Sequence, residues 1–508
     1  MSRFRHFILA PLLLGGCVVG PDYSGPPELG RATPGPTFVQ KTAGVSSHEP
    51  TVAAWWSALQ DPVLNELERR ALASNPSIEA AQARILQARA SVRQERAALF
   101  PTAGAQATAV IADLPGLDLQ SGRASGAPSP APVPSSEQGG DTSLEFYNFG
   151  LNANWEIDLA GGQVRRIEAA NALAAAAAYN AADAQVQLTS QIADAYTNLR
   201  DRQQRAAALG RALDLQRQQL DLAQQRFRQG TAPAFAVGQA NRAMQATTND
   251  LAVAEAEIEI YLNALAVLAG EAPGSLDALL AEPRDVPLPP QSVAIGDPAS
   301  LLRRRPDIRA AERSLAAATA RIGGAEAARF PRISFMGILG IGGTSLDDLV
   351  AGGDVSKIAV PQLQWGVLDF GRTSAAVAQA RAGRDEAEAQ YRQVVLSALR
   401  DAETALARFA QQRRTVAALA EIKRAADESA VLMRQRHEHG VVSLGDSLEA
   451  ERQRVLAEAN LRSAVAALTG SYVAIQKSLG LGWTILRKPP AAACHLERPP
   501  STALADSV

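Results

Sequence analysis

A chain of 508 residues has room for two or three ordinary domains. Its formal charge of -2 presents no basic field to nucleic acid, and 5% aromatics beside recurrent alanine runs favour long, closely packed helices over a bulky core. The two cysteines, Cys17 and Cys494, stand at opposite ends and imply no disulfide framework.

The chain begins with a processing signal. Arg3, Arg5 and His6 form a positive region ahead of the apolar stretch from Phe7 to Leu14. That stretch is too short to span a bilayer, which needs about 20 apolar residues. It runs into Leu14-Gly15-Gly16-Cys17, which resembles a lipobox. Residues 1–16 are therefore read as a lipoprotein signal peptide, and Cys17 as the acylated first residue of the mature chain; the alternative is an ordinary signal peptide with an incidental cysteine. Val18 stands where an aspartate would hold a bacterial lipoprotein back from the outer membrane. No later segment has 18 uninterrupted apolar residues, so no transmembrane helix is available.

After an N-terminal segment, 17–75, the chain repeats itself. Pro76-Ser77-Ile78-Glu79-Ala80-Ala81 matches Pro306-Asp307-Ile308-Arg309-Ala310-Ala311, and Phe100-Pro101 matches Phe330-Pro331, at an offset of 230. Beyond them the offset is 210, pairing Trp155 with Trp365, Gly161 with Gly371, Gly230 with Gly440, Arg242 with Arg452 and Gly270 with Gly480. The 20 extra residues of the first copy coincide with the Pro/Ser/Gly-rich stretch Asp113 to Asp141, read as an exposed loop. The chain divides accordingly into repeat 1 (76–270), a linker (271–305), repeat 2 (306–480) and a proline-rich tail (481–508), disordered from Arg487 onward.

Each copy predicts the same series of elements. A helix of about 24 residues, Pro76 to Leu99 or Pro306 to Arg329, opens on a proline, the residue suited to a first helical position. Strands follow near residues 103–112 and 144–158, then near 332–341 and 357–369. On one face lie Phe149, Leu151, Ala153, Trp155 and Ile157, answered in the second copy by Ala359, Leu363, Trp365 and Val367; Pro361 implies an edge or a bulge. A helix from Gln163 to Gln229, about 67 residues and so roughly 100 Å, comes next. Ile192, Leu199, Ala206, Leu213, Leu220 and Phe227 recur in it every seven residues, a coiled-coil seam. The second copy shows Leu399, Ala402, Leu406, Phe409 and Val416, interrupted by Arg413. After the turn at Gly230 or Gly440, a helix of about 35 residues returns to Gly270 or Gly480, long enough with the opening helix to stack as a column beside the long one.

The fold class is thus α+β, mainly α, with an internal duplication. Four strands cannot close a barrel around water, since about eight leave room only for side chains. A strand in lipid can have no open edge, so strands that enter a membrane from this chain must share one barrel among several protomers. Such a barrel continued by long helices makes a conduit.

The whole chain from Cys17 to Trp483 resembles the TolC/OprM-like outer-membrane factors. The segments that carry the resemblance are Gly16-Cys17-Val18-Val19-Gly20-Pro21-Asp22-Tyr23, Trp55-Trp56, Trp155-Glu156-Ile157-Asp158-Leu159, Arg304-Arg305-Pro306-Asp307-Ile308, Ala328-Arg329-Phe330-Pro331, Asp369-Phe370-Gly371-Arg372 and Leu479-Gly480-Leu481-Gly482-Trp483. Leu481 departs from the glycine triplet usual in the last. The resemblance implies a homotrimer whose protomers share a twelve-stranded outer-membrane barrel continued by a periplasmic helical tunnel. It implies an exit duct of tripartite efflux systems, with a periplasmic adaptor and an inner-membrane transporter as partners and no cofactor or reaction of its own. Drugs, metals and organic solvents leave through similar ducts, so the cargo stays open.

In that family the periplasmic end is constricted by an aspartate nine residues after the turn glycine and an arginine three residues later. Here the count from Gly440 gives Glu449 and Arg452, and from Gly230 it gives Gln239 and Arg242. The four are expected to form the periplasmic gate; the competing reading of Glu449 and Arg452 is a solvated i,i+3 pair on one helix. His437 and His439 flank Glu438 at the turn, but an i,i+2 pair does not share a helix face and no metal is expected. The family context makes Trp55, Trp56 and Trp483 packing residues and leaves Trp155 and Trp365 between an interfacial belt and packing. A periplasmic lipid-anchored scaffold is opposed by the strands, and an enzyme by the lack of a phosphate loop, nucleophile elbow or metal cluster.

Overall fold

A computed structural model describes residues 18–30, 33, 35–40, 43–114, 142–343 and 355–484. Cys17, most of the 113–141 loop and the tail from Arg487 lie outside the described residues. In chain order come β1 (Val45–Ser46), a 3-10 turn at Trp55–Leu59, α1 (Pro62–Ser74), α2 (Pro76–Ala97), β2 (Thr102–Leu114), β3 (Thr142–Ile157), α3 (Gly162–Arg228) and α4 (Ala234–Leu268). Then follow α5 (Asp277–Leu280), β4 (Val293–Ala294), α6 (Pro298–Arg304), α7 (Pro306–Ala327), β5 (Arg332–Gly343), β6 (Val355–Gln364), α8 (Arg372–Glu438) and α9 (Leu444–Ser478). The duplication is literal: α3 and α8 have 67 residues each, α4 and α9 have 35 each, and α2 and α7 have 22 each. No described helix is long and apolar enough to cross a membrane.

The chain forms two compact units that cut across the copies. The first gathers Arg84–Ala176, Ala311–Arg392 and the described N-terminal segment up to Leu29. It holds an antiparallel sheet in the order β2-β3-β5-β6, with β2 and β6 as open edges. Directly paired residues share a face. The rows Ala103–Ala153–Gly337–Ala359 and Ala105–Leu151–Leu339–Lys357 therefore belong to one apolar face, together with Phe149, Trp155, Phe335 and Leu363. Its one charge among the described side chains is Lys357, two residues from the end of the β5–β6 ladder. The other face is polar on β2 and β3, with Gln106, Thr108, Asn148, Asn152, Asn154 and Glu156, and mixed on β5 and β6, where Met336, Ile338, Ile358 and Val360 stand beside Gln362 and Gln364. Pro361 sits on the edge strand in unbroken register with Phe335, so it marks an edge and not a bulge.

The fourth strand is shorter than the sequence predicts, ending at Gln364 instead of near 369. The chain turns there: Val367 N donates back to Trp365 O at 3.1 Å, and the Trp365 indole N–H donates to Arg329 O at 3.1 Å. Trp155 does the same in the first copy, donating to Leu99 O at 2.9 Å. Each ring stays exposed, at 38% for Trp155 and 55% for Trp365, while its polar end satisfies a carbonyl left over where α2 or α7 ends.

An N-terminal strap crosses the first unit. Val19 N donates to Ala160 O at 3.1 Å, and the buried Arg165 donates from Nε to Val19 O and from Nη2 to Gly20 O, both at 3.0 Å, while pairing with Asp22 at 2.7 Å. Gly20, at φ +90, lies against the backbone of Gly323 so closely that neither position has room for a Cβ. Arg313 lies over the Tyr23 ring, 5.5 Å from its centroid.

The second unit comprises Gly30–Ala83, Ala177–Ala310 and the chain from Gln393. Its core joins Trp55, Trp56 and Leu59, Leu64 and Leu67 of α1, Ile192, Tyr196 and Leu199 of α3, and Tyr472 and Ile475 of α9. Leu481, the departure from the glycine triplet, is fully buried in that core. Asp61 caps α1 by accepting from Val63 N and Leu64 N, and its other oxygen accepts from Tyr196 OH at 2.7 Å. The short and returning helices do abut. Gly270, after α4, lies against the Ser74–Asn75 backbone, and Asn75 Nδ2 donates to Leu268 O at 2.8 Å. In the second copy Gly480 lies against Arg305, whose Nη1 donates to Ser478 O at 2.7 Å.

On α3, Ala208 and Ala212 pack on Val455 and Ala459 of α9, next to the heptad seam. The seam is buried at Ile192, Leu199 and Leu213 but exposed at Phe227, beside the turn. Arg413, which interrupts the second seam, instead binds the N-terminal segment, donating from Nη1 to Ala43 O at 2.6 Å.

Candidate functional site

The turns after α3 and α8 are built alike. Gly230 and Gly440 adopt φ +73 and +72, a region that favours glycine. Gly230 N and Thr231 N reach back to Phe227 O and Arg226 O, both at 2.9 Å; Gly440 N and Val441 N reach His437 O and Arg436 O, both at 2.8 Å. Both close as Schellman motifs. His437 belongs to this turn, its Nδ1 lying 3.2 Å from Val442 O.

The helices that leave the turns differ. Pro233 precedes α4 without a side-chain cap, whereas Ser443 and Asp446 form a capping box at the start of α9. That box fixes the first turn of the helix carrying Glu449. Glu449 accepts from Arg452 Nε at 2.9 Å and Nη2 at 2.6 Å, from Gln453 Nε2 at 2.7 Å and, across to α3, from Gln219 Nε2 at 3.4 Å. The Arg452 guanidinium, reinforced by the Gln453 and Gln219 amides against partial burial, holds the Glu449 carboxyl down at about 2.

Of the four gate residues expected from the sequence, the structure thus joins Glu449 and Arg452. Gln239 and Arg242 stand apart on α4, both exposed, with Arg242 stacked on the Phe235 ring at 5.9 Å. No hydrogen bond or ion pair among the described residues joins the two sets. Sequence reasoning missed Gln219, the α3 residue that reaches Glu449; its counterpart at the 210 offset is Ser429, so the repeat carries no signal for it. It also missed Arg165, whose role depends on a segment 145 residues away.

The structure offers no candidate catalytic or metal centre at these turns. Among the described residues no group of three or more His, Cys, Asp or Glu side chains is arranged to hold a metal. What the site offers is a charged pair on a rigidly capped helix, one turn beyond a tight reversal.

The family model for "Outer membrane efflux protein" matches residues 67–271 and 298–481. Nodulation protein T of Rhizobium leguminosarum bv. trifolii is 31% identical over 478 residues, covering 94% of this chain and 97% of that protein. Outer membrane protein OprJ of Pseudomonas aeruginosa is 30% identical, covering 94% and 95%. The solved outer-membrane channel OprN is 31% identical and superposes with a TM-score of 0.79, covering 92% of this chain and all of that one.

Proposed function

This chain belongs to the outer membrane efflux protein family, and on that premise we infer that it is the outer-membrane exit duct of a tripartite efflux system. It works as a homotrimer with a periplasmic adaptor and an inner-membrane transporter that supplies the energy. The observation that carries this reading is a four-stranded sheet with an apolar face and two open edges. Unpaired backbone groups are costly in lipid, and one chain has too few strands to close. Three copies, β6 of one pairing with β2 of the next, leave no edge and enclose the other face as a lumen. On this reading the chain catalyses nothing: the solved relative OprN is an outer-membrane channel, and passage through a lumen needs no reacting group.

Two finer assignments follow from this reading. Cys17 carries the lipid anchor, a reading supported by the strap: Val18, the next residue in the chain, is packed against Gly161, just past the end of β3. Glu449 and Arg452 form the resting periplasmic constriction, with Gln239 and Arg242 facing it from the first copy. A ring of three like charges is tolerable because each carboxylate carries its own guanidinium.

The test is reconstitution of the purified chain in planar bilayers. Heat-resistant trimers that give single-channel currents support the duct; a trimer that binds membranes without conducting would make it a scaffold.

A further inference from the structure

Within the first unit, α2, α3 and α7 line an open groove of about 510 Å³. Each helix contributes one exposed arginine to it: Arg84, Arg166 and Arg321. Arg166 donates from Nε to Gln163 Oε1 at 2.7 Å and stands 4.0 Å from Glu95, the one carboxylate in the lining. Arg84 and Arg321 have no hydrogen bond or ion pair among the described residues. The floor is small and apolar, with Ala169 and Ala320 buried, and Gly324 leaves open space where a Cβ would stand.

The strap shows which way the groove faces. Arg165 holds the strap and Arg166 lines the groove; Gly323 abuts the strap and Gly324 lines the groove. Consecutive helical residues point about 100° apart, and Arg321 lies two residues, roughly 200°, from Gly323. Groove and strap therefore occupy different faces of α3 and α7. The strap leads to Cys17, whose acyl chains belong outside the duct, so the groove opens on the lumen; this step rests on the duct reading above.

Guanidinium groups without partners are matched to carboxylate, sulfonate or phosphate oxygens, which they bind through a planar fork of donors. Three such grooves at one level of a trimer also make a cationic ring, which draws anions into a narrow lumen and repels cations. We propose that this groove is an anion-binding subsite in the duct wall, taking the acidic group of a small organic anion in transit.

The test uses the full-length trimer and four variants, Arg84→Gln, Arg166→Gln, Arg321→Gln and the triple, with Arg93→Gln as a control on α2 outside the groove. Heat-resistant trimers are verified first, and the single variants carry the test if the triple does not assemble. Under a KCl gradient, the wild-type reversal potential should favour chloride and shift toward potassium with each substitution. Benzene-1,3,5-tricarboxylate should block wild-type current about tenfold more tightly than the variants, and the control should behave as wild type. Conducting variants with unchanged reversal potential and unchanged block overturn the subsite and leave the duct standing. A wild-type trimer that does not conduct overturns the duct reading, and the subsite with it.

Discussion

At the scale of single residues, charge placement decides what each carboxylate does. Glu449 is held ionised by Arg452, with its carboxyl at about 2, so the proposed constriction is a salt-bridged ring across the physiological range. Replacing Glu449 and Arg452 together by alanine should raise conductance in planar bilayers and admit antibiotics too large for the intact outer membrane. Helix stability should change little, because alanine is the strongest helix former and a solvated i,i+3 pair contributes only a few tenths of a kcal/mol. Normal trimers with unchanged conductance would mean that these two are surface charges. Asp194 behaves oppositely: burial raises its carboxyl from 3.8 to about 6, outweighing nearby Lys477. Glu68, fully buried with no hydrogen-bond partner for either oxygen, is pushed up by burial as well. Between 3.8 and about 6 the folded chain keeps a proton on Asp194 that the unfolded chain releases. That contribution to stability is complete below the window and is lost as pH rises through it. Asp194→Asn should therefore raise the melting temperature at pH 8 and leave it nearly unchanged at pH 4; an equal shift at both would exclude titration as the cause. Glu449 and Arg452 were legible only through their distance from a turn glycine, whereas Asp194 and Glu68 are helical acids whose burial no local pattern reveals.

Among the elements, almost everything with a period was legible. Two helices of 67 residues and two of 35 follow from the absence of proline between glycine turns, and the strands from alternation. The sheet register puts Leu151 on the apolar face, 56% exposed and paired with Leu339, while Asn152 belongs to the other face. A charge on a lipid-facing position costs roughly 2–4 kcal/mol at mid-membrane. Leu151→Arg should therefore deplete heat-resistant trimers far more than Asn152→Arg; equal tolerance would mean that the segment does not face lipid in this register. Lys357 escapes most of that cost near the end of its ladder, where a lysine can extend its ammonium to the interface. The sequence failed where an element ends short of its pattern. Trp365 looks like a strand residue by alternation, yet the ladder ends at Gln364; its indole N–H donates to the Arg329 carbonyl, a bond that Trp155 makes to Leu99 from within its strand. Arg413 looks like a flaw in a seam until the Ala43 carbonyl stands opposite it. The column of short and returning helices was suggested by their lengths alone; the glycine joints at 270 and 480 that make it possible depend on backbone contacts that no spacing encodes.

On the scale of the whole molecule, the duplication told most of the architecture, but not how it is partitioned. The compact units take segments from both copies, because the sheet joins the second strand of one copy to the first of the other, and α3 of the first copy packs on α9 of the second. The strap is the part of the fold that bears on anchoring. Among the described residues it is held by Arg165, the Gly20–Gly323 crossing and Tyr23. Cys17→Ser in a mature chain should therefore abolish fatty-acid labelling while trimers still form in detergent; labelling as strong as wild type would refute acylation at Cys17. The open edges β2 and β6 have a genetic consequence. A ring that closes only when all three members are sound makes one faulty member spoil two good ones. If a chain carrying Leu151→Arg is co-expressed in equal amount with the wild type and mixes freely, all-wild-type rings fall to roughly one in eight. Efflux would drop nearly to that fraction, so a lesion that looks like simple loss of function would be inherited as a dominant one; a fall only to one half would show that chains from one message find each other before they mix.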